Sequence, residues 1–157
     1  MSGTIRTFIA LELPPAITSL LHKVQQDLKR LKIRARWVRS ENIHLTLKFL
    51  GDISPDHIDK IGAAMTAAAV EFPPVALTVR GIGVFPGIKR PRVIWVGLGG
   101  DIRSLLALQS RLEQELAGAE FSKDKRSFKA HLTLGRISQS ASPEVIRQMI
   151  SEYASLN

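Results

Sequence analysis

NIHLTLKFLG, residues 42–51, sets a histidine and a threonine two apart among leucines, and HLTLGR at 131–136 does the same again. Side chains along a strand alternate between faces. The first copy therefore directs His44 and Thr46 one way and Leu45 and Leu47 the other. The second directs His131 and Thr133 against Leu132 and Leu134. In each strand the leucines anchor a core, while imidazole and hydroxyl share the opposite face about 6 to 7 Å apart. Two such strands meeting around an approximate two-fold axis would line one cleft with two histidines and two hydroxyls.

The flanking sequence supplies the rest of an α+β pattern. TIRTFIAL (4–11) reads as a buried strand, punctuated by Pro14 and Pro15. AITSLLHKVQQDLKRLK follows with Ile17, Leu20, Leu21, Val24, Leu28 and Leu31 in helical period, an amphipathic helix with a basic end. RARWVRS (34–40) is a strand joined to NIHLTLKFLG by a short link at Glu41 and Asn42. Ser54 and Pro55 open a second helix, with Ile58, Ile61, Met65 and Ala68 expected on its inner face. PPVALTVRGIGVF (73–85) and PRVIWVGL (91–98) are strands separated by the turn PGIKR. A third helix runs from about Asp101 to Ala117, with Ile102, Leu105, Leu106, Leu112 and Leu116 inward and Gly118 as its stop. The charged segment EFSKDKRSFKA (120–130) is a loop entering the second HLTL strand, and Ser142 and Pro143 start a last helix with Val145, Ile146, Met149, Ile150 and Tyr153 on one side. Each half places a helix after a strand, then an HLTL strand, then a Ser-Pro helix start, which argues for an internal duplication within one domain, 1–157. Helices covering one face of each sheet complete the expected architecture.

The 157 residues, 45% of them apolar, suffice for one core or two small halves packed together. Lys and Arg number 22 against 14 Asp and Glu, a formal net charge of +8, which favours an anionic partner such as RNA, DNA or a phosphorylated metabolite. The chain has no cysteine, which excludes disulfides, thiolate metal sites and a thiol nucleophile. Its start reads as a strand rather than an export signal. No stretch approaches the roughly 18 apolar residues of a membrane span. The expectation is a cytoplasmic protein without membrane contact.

The repeated His-x-Thr suits a cyclic phosphodiester. A neutral histidine can take the proton of an attacking water, and a protonated one can give a proton to the departing ribose oxygen. Imidazole serves both tasks because its ordinary pKa, about 6.5, leaves both forms available near neutrality. Each transfer is typically worth about 10² to 10⁴ in rate. Threonine hydroxyls can donate to the non-bridging oxygens as charge builds there. A lone HLTL is ordinary strand sequence, and it is the second copy that turns the pattern toward catalysis. Two histidines without a nearby carboxylate or thiol make a poor metal site, so neither metal nor cofactor is expected. His22 and His57 read as surface residues.

The chain resembles the 2H phosphoesterase superfamily, and within it the RNA 2',3'-cyclic phosphodiesterases, also called 2'-5' RNA ligases. The matching pieces are RTFIALELP at 6–14, RWVRSENIHLTLKFLGDI at 36–53, LTVRGIGVFPGIKRPRVIWVGL at 77–98 and FKAHLTLGRI at 128–137. The resemblance implies a bilobal, duplicated fold: two antiparallel sheets with outer helices around a central basic groove. It implies metal-independent opening of RNA or nucleotide 2',3'-cyclic phosphates to 2'-phosphates, with 2'-5' ligation or cleavage in tRNA halves in some members. The paired motifs carry over to His44 and Thr46 and to His131 and Thr133, with His131 activating water and His44 protonating the leaving 3' oxygen. The implied partner is RNA bearing a 2',3'-cyclic phosphate, met by a monomer. The alternatives are an RNA-binding module without turnover and a phosphoesterase for a small cyclic phosphate.

Arg136 matches an arginine that follows the second motif in this branch and is a candidate RNA contact, as are Arg92, Trp95 and Lys48. Arg39, Lys89 and Arg90 add to the basic field. In a regular strand Arg136 would point away from Thr133, and only a bulge or the strand end would redirect it. Phe49 shares parity with Leu47 and is expected in the core; Phe8 falls in a family-like segment. Members of the family usually continue past the last helix with one or two more strands. Here the sequence stops at SEYASLN, so the expectation is an unpaired sheet edge.

Overall fold

The computed structural model describes residues 3–156. In chain order the elements are β1 (Ile5–Leu11), α1 (Pro15–Arg30), β2 (Ala35–Trp37), β3 (Leu45–Ile53), α2 (Ile58–Ala69), β4 (Leu77–Phe85), β5 (Val93–Gly100), α3 (Ile102–Gly118), β6 (His131–Ile137) and α4 (Pro143–Glu152). Two antiparallel sheets result, flanked by helices: a two-stranded β1-β3 sheet and a four-stranded sheet in the order β2-β6-β5-β4. The fold is α+β, as the strand and helix periods predict.

Two compact units share these elements. One comprises residues up to Ala10, Thr46–Leu77 and Gly100–Lys129; the other comprises Leu11–Leu45, Thr78–Gly99 and the chain from Ala130 onward. They are interleaved rather than successive halves, because the chain passes between them after residues 10, 45, 77, 99 and 129.

In the first unit α2 packs on α3. Ile61, Ala64 and Ala68 of α2 are buried, as are Leu105, Leu112 and Leu116 of α3. Each fully buried leucine or isoleucine contributes about 1.5 to 3 kcal/mol relative to exposure. Ile58 (43% exposed) and Met65 (39%) lie outside this seam, as does Leu106. The inner face of α2 is thus rotated from the expected one: small Ala64 and Ala68 allow close approach to α3, and the bulkier Met65 falls beside the contact. Phe49 is also not core. It is half exposed and stacks on Phe8 with ring centroids 6.4 Å apart, and the Arg6 guanidinium lies 5.1 Å from its centroid.

In the second unit α1 buries Leu21, Val24 and Leu28, α4 buries Ile146 and Met149, and the four-stranded sheet buries Ile94, Val96, Leu132 and Leu134. Ser142 caps α4, its hydroxyl accepting from Val145 N at 3.2 Å, with Pro143 in the first turn. Beyond the other end of α4 the Tyr153 hydroxyl donates to Asp27 of α1 at 3.2 Å. Its pKa is pushed up to about 12, first by burial and then by the Asp27 charge and hydrogen bond. Among the described residues no helix is long and apolar enough to cross a membrane.

Candidate active site

A 3-10 turn over Ser40–Asn42 delivers the chain into the first motif. His44 sits just ahead of β3 rather than inside it, yet the alternation holds: Ile43, Leu45 and Leu47 are buried, His44 is half-buried and Thr46 is exposed. The alternation lapses one residue later, where Lys48 is buried beside Leu47.

β6 carries the second motif in the middle of its sheet. Leu132 and Leu134 are fully buried, while His131 and Thr133 are half-buried on the opposite face. Against β5 the register runs His131 to Gly97, Leu132 to Val96 and Thr133 to Trp95, then shifts: Gly135 faces Ile94 and Arg136 faces Val93. One step on β5 thus spans two on β6, a bulge at Leu134. Cross-strand partners share a face, and Val93 lies on the same face as Trp95. The bulge therefore returns Arg136 to the side of His131 and Thr133, resolving the parity conflict of the sequence. Gln25 of α1, itself buried, fastens this point. Its amide donates to Leu134 O at 2.9 Å and to Val38 O at 2.7 Å.

The same face holds an aromatic group that sequence reasoning missed. The Phe85 ring stands at 88° to the His131 imidazole with centroids 5.1 Å apart, and it leans on Trp95 at 5.0 Å. Trp95 in turn lies over Gly83, where a methyl group would stand inside the indole, and reaches Gly97, the partner of His131 in the register, where a Cβ would strike the Arg80 carbonyl oxygen. The Trp95 indole N–H is buried without a hydrogen-bond partner. Trp95 is therefore a half-buried shelf beneath Phe85, on the face of His131 and Thr133. The signal for Phe85 lay in the pairing of β4, β5 and β6, which no local pattern announces.

Lys48 is corrected more sharply. It is 3% exposed, and its ammonium donates to Glu113 Oε2 at 3.1 Å and to Ser122 O at 2.8 Å, with Asp124 Oδ1 at 3.2 Å. Glu113 also accepts from Gln109 Nε2 and from Asp124 N, both at 3.3 Å. This cation is spent on the loop that follows α3 and cannot meet a phosphate backbone. Burial is tolerated because the charge is paired and its protons are hydrogen-bonded.

Arg92 and Arg136 are exposed. Arg92 N donates to Phe85 O and Arg92 O accepts from Ile137 N, both at 2.7 Å. Beside this junction Lys89, Arg90 and Arg92 line a cleft of about 370 Å³ with Ser138, Gln139 and Ser140, and no carboxylate enters it. His22 is exposed, as expected; His57, also exposed, packs its ring edgewise on Phe121. Among the described residues no cluster of three or more His, Asp or Glu side chains could hold a metal ion.

Comparison with known proteins finds a family and several solved relatives. A family model described as LigT-like phosphoesterase matches residues 11–95 and 98–157. The RNA 2',3'-cyclic phosphodiesterase of Aeropyrum pernix is 34% identical over 74% of this chain, which spans 65% of that relative, a little under two thirds of its length. The enzyme of the same name from Thermotoga maritima is 34% identical over 85% of this chain and 70% of its own. Among solved structures, apo LigT of E. coli superposes with a TM-score of 0.70 at 28% identity, covering 89% of this chain and 76% of that one. The same protein has been solved in complex with 3'-AMP, where the TM-score is 0.68 at 26% identity over 88% of this chain and 77% of that one.

Proposed function

The chain belongs to the LigT-like phosphoesterase family, and we propose that it opens RNA 2',3'-cyclic phosphate ends to 2'-phosphates by proton transfer between two histidines. The carrying observation is the register of β6, which buries Leu132 and Leu134 and leaves His131 and Thr133 on the other face. The same alternation recurs at His44 and Thr46.

In the proposed step the oxygen of water attacks phosphorus as neutral His131 takes its proton. The bond from phosphorus to the 3' oxygen breaks, and protonated His44 gives its proton to that oxygen, leaving the phosphate on the 2' position. Thr46 and Thr133 donate to the non-bridging oxygens, where negative charge accumulates. Two imidazoles and two hydroxyls supply the proton traffic and charge stabilisation without a metal. With a 5'-hydroxyl end of RNA in place of water, His131 takes the hydroxyl proton, the bond from phosphorus to the 3' oxygen breaks, His44 protonates that oxygen, and a 2'-5' linkage forms. Arg92 and Arg136 hold the RNA backbone. The substrates are RNA fragments such as tRNA halves, met in the cytoplasm by a monomer.

The test is product analysis on a short RNA ending in a 2',3'-cyclic phosphate, in the presence of chelator. A 2'-phosphate product, lost in both His44→Ala and His131→Ala, is expected. Undiminished hydrolysis in the double variant would overturn the mechanism.

A further inference from the structure

Resting on the phosphodiesterase reading for the reacting end only, we infer that the cleft between the β4–β5 turn and the segment leading into α4 is a remote anchor for the RNA backbone. It holds phosphates several nucleotides to the 5' side of the cyclic end, whatever their bases, and makes the protein favour long RNA over short.

Lys89, Arg90 and Arg92 line this cleft from the β4–β5 turn, and Ser138, Gln139 and Ser140 line it from the segment after β6. Every one of these side chains can donate to a phosphate oxygen. No carboxylate is among the lining residues. The three cations are exposed, and among the described residues none of them takes part in an ion pair. Solvated surface charge elsewhere behaves differently: Arg30, Lys48 and Arg111 each have a carboxylate within 4.0 Å. Cations gathered without acids repel one another, and an anion seated among them removes that cost.

The walls are fixed before any ligand arrives. Arg92 N donates to Phe85 O at 2.7 Å and closes the turn, while Ile137 N donates to Arg92 O at 2.7 Å and Ser138 N to Arg34 O at 3.0 Å. A site held in this way loses less freedom on binding. Its far wall runs into the N-terminus of α4, a helix of 10 residues, whose positive dipole end adds to the attraction for an anion.

The lining selects a backbone and not a base, because it contains no aromatic ring on which a base could stack. Its place excludes the reacting phosphate. The cleft and His131 belong to the same compact unit, but the cleft opens at Ile137, the opposite end of β6 from His131. That separation is about 20 Å along the strand, well beyond the step from one phosphate to the next. A dinucleotide held at His131 falls short of it, and a longer RNA spans it.

The experiment compares kcat/KM for a dinucleotide and a decanucleotide, each ending in a 2',3'-cyclic phosphate. Wild-type protein is expected to prefer the decanucleotide. Lys89→Gln combined with Arg90→Gln should cut that preference about threefold to tenfold, the scale of two exposed charge pairs, chiefly through KM for the longer RNA. The salt dependence of decanucleotide binding should fall by about one unit of slope. Lys23→Gln combined with Lys29→Gln, exposed on α1, removes the same charge elsewhere and should leave the preference near that of wild type. A decanucleotide of different base composition should show the same preference. No preference in wild type, an unchanged preference in the cleft variant, or an equal loss in the α1 variant overturns the anchor. If wild-type protein hydrolyses neither RNA, the phosphodiesterase reading falls instead. The anchor is then decided by binding of a decanucleotide ending in a 2'-phosphate: weakening in the cleft variant alone upholds it, and equal affinity overturns it.

Discussion

The Phe85 ring stands almost perpendicular to the His131 imidazole, their centroids 5.1 Å apart, so an aromatic wall fixes the plane of a histidine proposed to move a proton. Such pairs contribute about 0.5 to 1.5 kcal/mol beyond their burial. Phe85→Leu should lower kcat by up to about tenfold with little change in KM, and should displace one limb of the pH-rate profile. An unaltered kcat and profile would show that the contact does not position the ring.

The two histidines should each show one limb of a bell-shaped pH dependence. Replacing either by Ala is expected to reduce kcat by about 10² to 10⁴. The double variant should lose far less than the product of the two single effects, because the residues act as a unit. Steady-state rates between pH 4 and pH 9 measure both outcomes.

Gln25 ties the bulge in β6 to α1, and its removal takes a donor from the Val38 and Leu134 carbonyls, leaving Leu134 O only its bond from Val38 N at 2.9 Å. Gln25→Leu should destabilise the fold by about 1 to 3 kcal/mol, measured by urea unfolding. It should also weaken RNA affinity, because slippage at Leu134 would carry Arg136 off the His131 face.

Lys48→Met strands the carboxylate of Glu113 without its cation. Breaking a buried pair in this way costs about 3 to 5 kcal/mol. Lys48→Met combined with Glu113→Leu should recover a large share of that loss, which a double-mutant cycle reads as coupling. A double variant no more stable than Lys48→Met would count against the pairing.

Tyr153 sets an alkaline boundary. Its folded pKa, pushed up to about 12, lies above the ordinary value of 10.0, so the folded state holds the phenolic proton more tightly than the unfolded chain does. The resulting stability is fully present below about pH 10 and is lost as pH rises toward 12. Thermal melts over that range should fall less steeply for Tyr153→Phe.

How far the sequence could be read depended on the range of each interaction. The two His-x-Thr strands were legible because alternation with buried leucine is a local pattern, and β6 follows it from His131 to Leu134. Helix starts at Pro55 and Pro143 were legible from their preceding serines for the same reason. Phe85 was not, since its place beside His131 depends on the pairing of β4, β5 and β6. Lys48 misled because a lysine on the polar face of a strand normally reaches solvent, and the carboxylates that pair with it arrive from the distant Glu113 and Asp124. Met65 and Ile58 misled because an alanine-rich helix offers more than one apolar arc.

The weaving of the backbone between its two compact units has a practical corollary for dissection. No single cut yields a self-sufficient fragment, since any contiguous piece that holds all of one unit also contains most of the other. Splitting the gene into halves around one histidine each would therefore give two incomplete polypeptides, whose recovery would require reassembly of both.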